Sequence, residues 1–284
     1  DLAIRSGKHP ASAMMNLPYV PGVEAAGEVE AVGDGVTGWK PGDAVFGRVL
    51  GGGYCERTRM AASEAGKKPD SFSFEEAAVA PIVFMTAWNA LFNKAEVQAG
   101  ETVLVQAGGG GVGSAAIQLA KWKGARVLTT VGSEEKAERA KAIGADEAIL
   151  YKESLFDEEA KRLTDEKGVD VIIETVAADN LARDISALAV FGRIVVIGNG
   201  TGKAPEASFA VAPALFKDLK LLSMTLFNLG PRAGEIVRGL EKVFAEGKAK
   251  PLPGTTFPLK DAAAAHATLL SGKFFGKIAL SPIG

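Results

Sequence analysis

Four consecutive glycines are the feature of this 284-residue chain that most restricts how it can fold. They lie in "QAGGGGVGSAAIQLA", between an apolar run at 102–107 and a stretch with helical spacing. Glycine loses more backbone freedom on folding than any other residue, so such a run is unfavourable unless something must approach the main chain closely. The spacing Gly108-x-Gly110-x-x-Gly113, after a predicted strand and before a predicted helix, indicates a dinucleotide-binding turn.

Each glycine of that spacing has its own task in a dinucleotide site. Gly108 permits a tight turn, Gly110 lets a diphosphate approach the backbone, and Gly113 lets the helix pack closely on the strand. The diphosphate would rest on N–H groups at the positive end of the helix dipole. A merely flexible connection explains neither the position of the third glycine nor the length of the run.

The surrounding pattern predicts an α/β fold. Short β-branched runs at 102–107, 126–131, 169–174 and 193–197 alternate with helical segments, which predicts a doubly wound parallel sheet. Before residue 75, apolar runs alternate with Gly and Pro, and 28–32 alternates at the strand period, which predicts a small antiparallel, barrel-like unit. The tail from 255 predicts strand, helix and strand, and we expect it to return to that unit.

The end of the second predicted strand indicates which dinucleotide binds. An NAD site usually has an acid there for the ribose 2′-hydroxyl. This chain has 130–133 as "TVGS", and Ser133, Lys136 and Arg139 could instead bind a 2′-phosphate. Glu134 and Glu135 count against a phosphate unless they point to solvent from the first turn of a helix. The missing acid favours NADPH over NADH.

Composition limits the classes of function. The formal net charge of −2 gives no electrostatic reason to expect nucleic acid as a partner. One cysteine, Cys55, allows no internal disulfide and indicates a reducing, intracellular setting. The most apolar stretch, 77–85, is too short to cross a membrane. Because the chain begins at Asp1 in the middle of a pattern, we expect part of the N-terminal unit to lie upstream of it.

Several segments together resemble one family. They are "LPYVPGVEAAGEVEAVGDGV", "KPGDAVF", "AGETVLVQAGGGGVGSAAIQLAK", "GVDVIIE" and "GRIVVIG". The chain resembles the zinc-independent quinone oxidoreductases, of the zeta-crystallin type, in the medium-chain dehydrogenase/reductase superfamily. The resemblance implies a GroES-like substrate domain at 1–82 and 250–284, a Rossmann domain at 83–249, and an active-site cleft between them. It also implies a cytoplasmic homodimer that pairs through the sheet edge near "LKLLSMTLF".

The resemblance also implies where the cofactor binds. It implies diphosphate contacts at Gly109, Gly110, Gly111 and Val112. It implies 2′-phosphate and adenosine contacts at Gly132, Ser133, Lys136 and Tyr151. It implies contacts around the nicotinamide at Thr86, Ile197 and Gly198, and at Met224 and Phe227 on the last strand of the sheet. Tyr151 could instead be only a strand-end aromatic, Phe227 a core residue, and Thr86 a helix residue bonded to its own backbone.

Metal and proton chemistry have few candidates. Zinc-dependent relatives carry Gly-His-Glu where this chain has Gly22-Val23-Glu24, and valine cannot ligate a metal, so no zinc is expected. His9 replaces a pocket tyrosine of the family, and it is either a polar contact in the pocket or an exposed loop residue. His266 is expected to serve packing or capping, and Cys55 to be a small buried hydrophobe in a strand. No side chain is assigned as a catalytic acid.

These observations predict NADPH-dependent, metal-free hydride transfer to a small-molecule quinone or related α,β-unsaturated carbonyl. Such acceptors are electrophilic enough to react without a Lewis acid. One alternative is an enone or 2-alkenal double-bond reductase of the same fold. Others are an NADPH-binding structural or RNA-associated protein with little turnover, and a degenerate or regulatory fragment.

Overall fold

A six-stranded parallel sheet with strand order β6-β5-β4-β7-β8-β9 is the centre of the larger of two units. The computed structural model describes residues 1–9, 12–13, 16–49, 51–200 and 206–282. It divides into one unit of Asp1–Met85 with Gly230–Gly284 and another of Thr86–Leu229. The tail therefore returns to the N-terminal unit, as expected from its pattern. The domain boundaries predicted at 82/83 and 249/250 remain a proposal.

The larger unit alternates strands and helices, as predicted. Its strands are β4 (Thr102–Val105), β5 (Arg126–Val131), β6 (Glu147–Leu150), β7 (Val169–Glu174), β8 (Leu188–Val196) and β9 (Lys220–Ser223). Its helices are α4 (Gly111–Trp122), α5 (Glu134–Ala142), α6 (Phe156–Leu163), α7 (Ala177–Ala187) and α8 (Val211–Leu215). Apolar side chains on both faces of the sheet are fully buried, with Leu104, Leu128, Ile172 and Ile194 on one face and Val103, Val127, Val171 and Val195 on the other. This burial explains why the strands are nearly continuous apolar runs.

The N-terminal unit contains two small sheets. In one, β1 (Glu24–Glu28), β2 (Ala44–Arg48) and β3 (Ala65–Lys67) pair antiparallel. In the other, β10 (Pro253–Pro258) and β11 (Lys277–Ser281) pair parallel. Its helices are α1 (Leu2–Arg5), α2 (Phe74–Ala78), α9 (Arg232–Ala245) and α10 (Ala262–Ser271), and α3 (Pro81–Trp88) leads into the larger unit. The predicted α/β class with an antiparallel N-terminal part is confirmed, although the described strands do not close into a barrel.

An aromatic cluster fills the core of this unit. The Phe244 ring, on α9, lies 5.9 Å from the ring of Phe46, 5.2 Å from that of Phe72 and 4.9 Å from that of Phe84. The apolar face of α9 thus packs inward, and Gly247 follows the helix with a φ of +64°. Glycine is the residue best suited to that left-handed position after a helix.

Three predicted strands have different bounds, and the one predicted at 193–197 is β8, which begins earlier, at Leu188, and ends at Val196. The strand predicted at 28–32 is instead β1, which ends at Glu28, because its partner β2 begins only at Ala44, after the turn at Gly42. The strand predicted at 102–107 ends at Val105, because Ala107 adopts a φ of +56°, which no strand residue can have. That left-handed residue is where the chain leaves the sheet for the glycine run.

Candidate dinucleotide site

The glycine run connects β4 to α4 at the carboxyl edge of the parallel sheet. Gly110 has an extended conformation and precedes the first helical residue, and no side chain caps the helix. A helix start without a side-chain cap presents backbone N–H groups toward an anion. The edge formed by the carboxyl ends of the strands is also where ligands bind in open α/β sheets. The strand, turn and helix predicted from the sequence are all present.

Two of these glycines have no room for a side chain. A Cβ atom on Gly108 would lie 2.1 Å from Thr129 Oγ1, and one on Gly113 would lie 2.3 Å from the carbonyl oxygen of Ala107. At Gly110 the nearest atom would be that same Ala107 oxygen, at 3.3 Å, and the residue is exposed. Gly108 and Gly113 are thus required by packing, whereas Gly110 leaves backbone accessible on the outer side of the turn.

The end of β5 carries the residues predicted to select the cofactor. Ser133 is the N-cap of α5, and its hydroxyl accepts a hydrogen bond from the backbone N–H of Lys136 at 3.4 Å. Glu134 and Glu135 are exposed in the first turn of that helix, as the NADPH hypothesis requires. The hydroxyl of Tyr151, which directly follows β6, would lie 2.7 Å from a Cβ on Gly132. Gly132, Ser133, Lys136 and Tyr151 therefore surround one corner of the sheet edge.

Two of the residues predicted to contact the nicotinamide, Ile197 and Gly198, follow the end of β8. Gly198 has no room for a side chain, because its Cβ would lie 2.7 Å from the carbonyl oxygen of Thr175. Ile197 donates its N–H to the backbone oxygen of Glu174 at 2.9 Å. The turn after β7 and the end of β8 are thus tied together at the same edge as the glycine run.

The placement of Met224 and Phe227 on the last strand was wrong. β9 ends at Ser223, and Met224 still bonds to β8, its N–H donating to Val196 at 3.3 Å. Phe227 lies in a short 3-10 helix, Leu226–Asn228, because the Thr225 hydroxyl accepts the N–H of Phe227 and starts a helical turn. Phe227 is 55% exposed, which excludes the alternative that it is a core residue of the described structure.

Asn89 is a residue that the sequence analysis missed. It is buried one turn after Thr86, itself buried in α3, and it begins a π-helical turn, Asn89–Lys94. Its side-chain amide donates to Met224 Sδ at 3.2 Å and accepts from Asn93 Nδ2 at 3.0 Å. Asn89 thus links the helix of Thr86 to the segment of Met224, two of the expected nicotinamide contacts. Helix periodicity could not have revealed this, since π-helical turns have a different repeat.

A buried chain of hydrogen bonds lies behind the glycine run. The Thr130 hydroxyl accepts the N–H of Ala107 at 3.0 Å and donates to Gln106 Oε1 at 2.7 Å. Gln106 Nε2 in turn donates to Asp184 Oδ1 at 2.9 Å. Neither Gln106 nor Asp184 was predicted from the sequence as part of the site. A signal was available for Asp184, because it falls on the buried stripe of α7 with Leu181 and Ile185.

In the N-terminal unit, the two histidines have different surroundings. His9 follows α1 in a bend and donates its backbone N–H to Ala3 at 3.1 Å, so its predicted role in a pocket stays a prediction. His266 is buried in α10 and contacts Arg5 through Nδ1 at 2.8 Å and the Tyr54 hydroxyl through Nε2 at 2.9 Å. Because arginine only donates, Nδ1 accepts and Nε2 carries the proton. Burial and the charge of Arg5 lower the pKa of His266.

The expectation that Cys55 is buried in a strand was wrong. Cys55 is exposed, and residues 54–57 form bends with no sheet face that could bury a thiol.

The side chains around Glu24 do not fit a zinc site. Glu24, beside Val23, already bonds to Lys277 Nζ and to the N–H of Ile82, and the described residues contain no group of three acidic, histidine or cysteine side chains that could hold a metal.

Known proteins are similar in sequence to nearly the whole chain. The profile of the family described as "Alcohol dehydrogenase GroES-like domain" matches residues 1–92, and that of "Zinc-binding dehydrogenase" matches residues 111–240. The quinone oxidoreductase of Rattus norvegicus is 38% identical, over 98% of this chain and 83% of that protein. The chain belongs to the quinone oxidoreductase family of the medium-chain dehydrogenase/reductase superfamily. It is therefore an oxidoreductase, and the family predicted from the sequence is confirmed.

Solved structures of this superfamily have the same fold. The Escherichia coli quinone oxidoreductase complexed with NADPH superposes with a TM-score of 0.88 at 32% identity, over 99% of this chain and 86% of that one. A crystal structure of an NAD-dependent alcohol dehydrogenase gives 0.86 at 35% identity, over 95% and 84%. The chain is about equally similar to a structure complexed with NADPH and to one described as NAD-dependent. The choice between the two cofactors must therefore be argued from side chains. None of the described helices is long and apolar enough to cross a membrane.

Proposed function

We propose that this oxidoreductase transfers hydride from NADPH to quinones or related α,β-unsaturated carbonyls without a metal ion. One observation carries the proposal: the turn between β4 and α4 excludes a Cβ at Gly108 and Gly113 and leaves Gly110 exposed. Glycine-rich backbone of this kind between a strand and a helix start is suited to the diphosphate of a dinucleotide. The relatives named above support the reaction class.

The diphosphate would bind to main-chain N–H groups of the turn. We propose contacts from Gly109, Gly110, Gly111 and Val112. These residues form the end of the turn that follows β4 and the first turn of α4, where the helix dipole favours negative charge. Because Gly108 and Gly113 fix the turn against Thr129 and Ala107, the N–H groups are held in place before the cofactor arrives.

The 2′-phosphate is the group that would distinguish NADPH from NADH. Ser133 and Lys136 lie on the first turn of α5, and no acid stands at 130–133 to bind a free 2′-hydroxyl. The half-exposed ring of Tyr151, beside Gly132, offers a face for the adenine. These residues together favour NADPH.

The acceptor end of the reaction needs orientation more than acid–base chemistry. NADPH, when bound, supplies the hydride, and a quinone or enone is electrophilic enough to accept it without a Lewis acid. We propose that Thr86, Ile197, Gly198, Met224 and Phe227 hold the nicotinamide end. Asn89 fixes Met224 from the buried side. Val23 stands where a zinc-dependent relative has a ligand, which supports the metal-free proposal.

Equilibrium binding and turnover test this proposal directly. Dissociation constants for NADPH and NADH are measured side by side, followed by steady-state rates with a benzoquinone and with a 2-alkenal. We expect NADPH to bind at least about tenfold more tightly, a difference of 1.4 kcal/mol, and the quinone to be reduced faster. Faster reduction of the alkenal would favour the double-bond reductase. Cofactor binding without turnover of either acceptor would contradict the enzymatic proposal.

We also propose that two copies of the chain pair through β9. This strand lies at one edge of the sheet, and an unprotected edge is open to pairing with another strand. Exposed apolar side chains lie on and beside it, namely Val190, Phe191, Leu215, Phe216 and Leu221. A second copy would bury these side chains and extend the sheet across the interface.

A further inference from the structure

Two carboxyl groups are buried together beneath the carboxyl edge of the parallel sheet. Glu174 is the last residue of β7, Asp184 lies on α7, and both are 0% exposed. The two side chains lie within hydrogen-bonding reach of each other. A bond between two carboxyl groups requires a proton on one of them, since two carboxylates have only acceptors. The pair therefore holds one proton and one negative charge.

The hydrogen-bond donors around the pair show which residue is ionised. Glu174 receives the N–H of Val176 and the amide of Asn180, the latter at 3.2 Å. These two donors stabilise a carboxylate. Asp184 receives only Gln106 Nε2, on Oδ1, and no N–H or O–H of the described residues donates to Oδ2. Oδ2 is thus the oxygen that carries the proton and donates to Glu174.

We propose that Glu174 and Asp184 are positioning residues that share one proton and thereby hold the dinucleotide turn in its binding conformation. The inference rests on the proposed function, because it concerns the same turn. From Asp184 the hydrogen bonds run through Gln106 and Thr130 to the N–H of Ala107. Ala107 is the left-handed residue whose carbonyl oxygen accepts the N–H of Gly110 at 2.9 Å and leaves no room for a Cβ atom on Gly113. The pair therefore acts on the diphosphate site through the backbone of that residue.

Glu174 connects the pair to the backbone near Gly198, one of the proposed nicotinamide contacts. Glu174 binds the N–H of Val176 in the turn that follows β7, and the Thr175 carbonyl oxygen in that turn leaves no room for a Cβ atom on Gly198. The N–H of Ala177 also donates to the Gly198 oxygen, at 3.2 Å. One charged and one neutral acid thus connect the two backbone segments that we propose to bind opposite ends of the cofactor. A purely apolar core would leave these N–H groups without acceptors.

Other charged groups lie around α7. Asp157 on α6 faces the pair and receives Arg183 at 3.2 Å. Lys161 and Lys217 contact the far end of α7 at Ser186, through its hydroxyl and its carbonyl oxygen. Asp157 adds negative charge that raises the pKa of Asp184 further, after burial and Glu174. These surroundings favour the singly charged pair over a doubly charged one.

The pH dependence of stability follows from the shared proton. Because burial and the Glu174 charge raise the pKa of Asp184 well above its ordinary value of 3.8, the folded protein keeps a proton that the unfolded chain has released. The free energy of unfolding therefore falls as pH rises between the unfolded and folded pKa values. Asp184→Asn carries no proton to lose. We expect the stability of wild type relative to this variant to decline as pH rises through that window.

Two amide substitutions distinguish the proposal from a general structural role. In Asp184→Asn the new amide still donates to Glu174 and accepts from Gln106, so we expect the Kd for NADPH to stay within about twofold. In Glu174→Gln an amide NH₂ must face Val176 N–H or the Asn180 amide, so we expect the Kd to rise about tenfold, the effect of one lost buried hydrogen bond. The KM for the quinone should change in neither variant. In wild type the Kd should rise with pH, whereas in Asp184→Asn it should stay constant.

Infrared difference spectra test the proton itself without any cofactor. At pH 7 wild type should show the carbonyl stretch of a protonated carboxyl group, and Asp184→Asn should lack it. Asp170→Asn is the matched control, because Asp170 accepts the N–H of Thr102 at the opposite end of the sheet, and it should keep the band. Absence of the band from wild type, or equal changes in Kd for Glu174→Gln and Asp184→Asn, would overturn the proposal. If wild type binds no NADPH, the proposed function and the positioning role both fail, while the infrared band and the stability profile still report on the shared proton alone.

Discussion

The carbonyl oxygen of Ala107 lies 2.3 Å from the position that a Cβ atom on Gly113 would occupy. The contact is between backbone and backbone, so no side-chain rotation can relieve a clash there. We predict that Gly113→Ala destabilises the protein by about 1–3 kcal/mol, the usual effect of overpacking, and abolishes measurable NADPH binding. Chemical denaturation and fluorescence titration with NADPH measure the two effects.

Gly110→Ala separates packing from cofactor contact in the same turn. The nearest atom to its Cβ is 3.3 Å away, and its φ of −86° suits any residue. We expect a stability change below about 1 kcal/mol but a clear loss of NADPH affinity, because the methyl group covers backbone that the diphosphate must reach. Gly27→Ala is the control, since nothing lies within 4 Å of its Cβ. Unchanged affinity in Gly110→Ala would mean that the diphosphate does not bind at this turn.

Lys136 is expected to decide between the two nicotinamide cofactors. It lies on the first turn of α5, beside Ser133, where the 2′-phosphate would bind. Lys136→Ala should raise the Kd for NADPH about five- to tenfold, the effect of losing one exposed phosphate contact, and should leave the Kd for NADH unchanged. Titrations at low and at physiological salt should show the difference shrinking with ionic strength.

Lys141→Ala is the matched control for that experiment. Lys141 lies on the same helix but pairs with Glu147 at 3.1 Å. Its loss should affect both cofactors equally or not at all. Equal loss of NADPH and NADH affinity in Lys136→Ala would contradict the assignment of Lys136 to the 2′-phosphate.

The accuracy of the predictions from sequence depends on which residues form each structural feature. The glycine run could be interpreted from spacing alone, because Gly110 and Gly113 meet backbone of their own segment at Ala107, although Gly108 is confined by Thr129 on β5. Met224 and Phe227 were misplaced because one threonine side chain, Thr225, ends the strand pattern by starting a helical turn. A local hydrogen bond of this kind is not visible in hydrophobic periodicity.

The acid pair was missed for a different reason. Glu174 and Asp184 are ten positions apart, and although Asp184 falls on the buried stripe of α7, nothing in either segment alone relates it to Glu174 at the end of β7. Only the packing of α7 against β7 brings them together, away from water. Asn89 and Met224 are 135 positions apart, and no pattern in one sequence relates them. These residues could therefore be identified only from contacts between distant segments, which the spacing of residues in the sequence does not reveal.

The ion pair of Arg193 and Glu101 predicts how the larger unit responds to acid. Two bonds of 2.7 and 2.9 Å join the side chains, and Arg193 Nε also donates to the Ala95 carbonyl oxygen at 2.9 Å. Burial alone would raise the pKa of Glu101, but hydrogen bonds from Arg193 and Gln98 lower it below the ordinary value of 4.5. The pair therefore stabilises the fold above that pH and ceases to do so as pH falls through the folded pKa.

We predict that Arg193→Met lowers the free energy of unfolding at pH 7 by about 2–3 kcal/mol, because it leaves a largely buried carboxylate without its partner. The difference in the free energy of unfolding between wild type and Glu101→Gln should become smaller as the pH drops below 4.5. Urea denaturation at several pH values measures both effects. The exposed pair of Arg162 and Glu159 serves as the control, and Glu159→Gln should change stability little at any pH. A pH-independent difference between wild type and Glu101→Gln would contradict this account of Glu101.

Leu221 tests the proposed pairing of two copies through β9. Its side chain is 45% exposed on the edge strand, and a lysine there would place a charge in the interface. Charged residues on edge strands are a common means by which proteins prevent strands from pairing, so Leu221→Lys should weaken the dimer at least about tenfold. Sedimentation equilibrium over a range of protein concentrations measures that change. Leu270→Lys is the control, because Leu270 is 73% exposed on α10 in the other unit, and it should leave the dimer intact. A monomeric wild type, or a Leu221→Lys protein that remains fully dimeric, would contradict pairing at this edge.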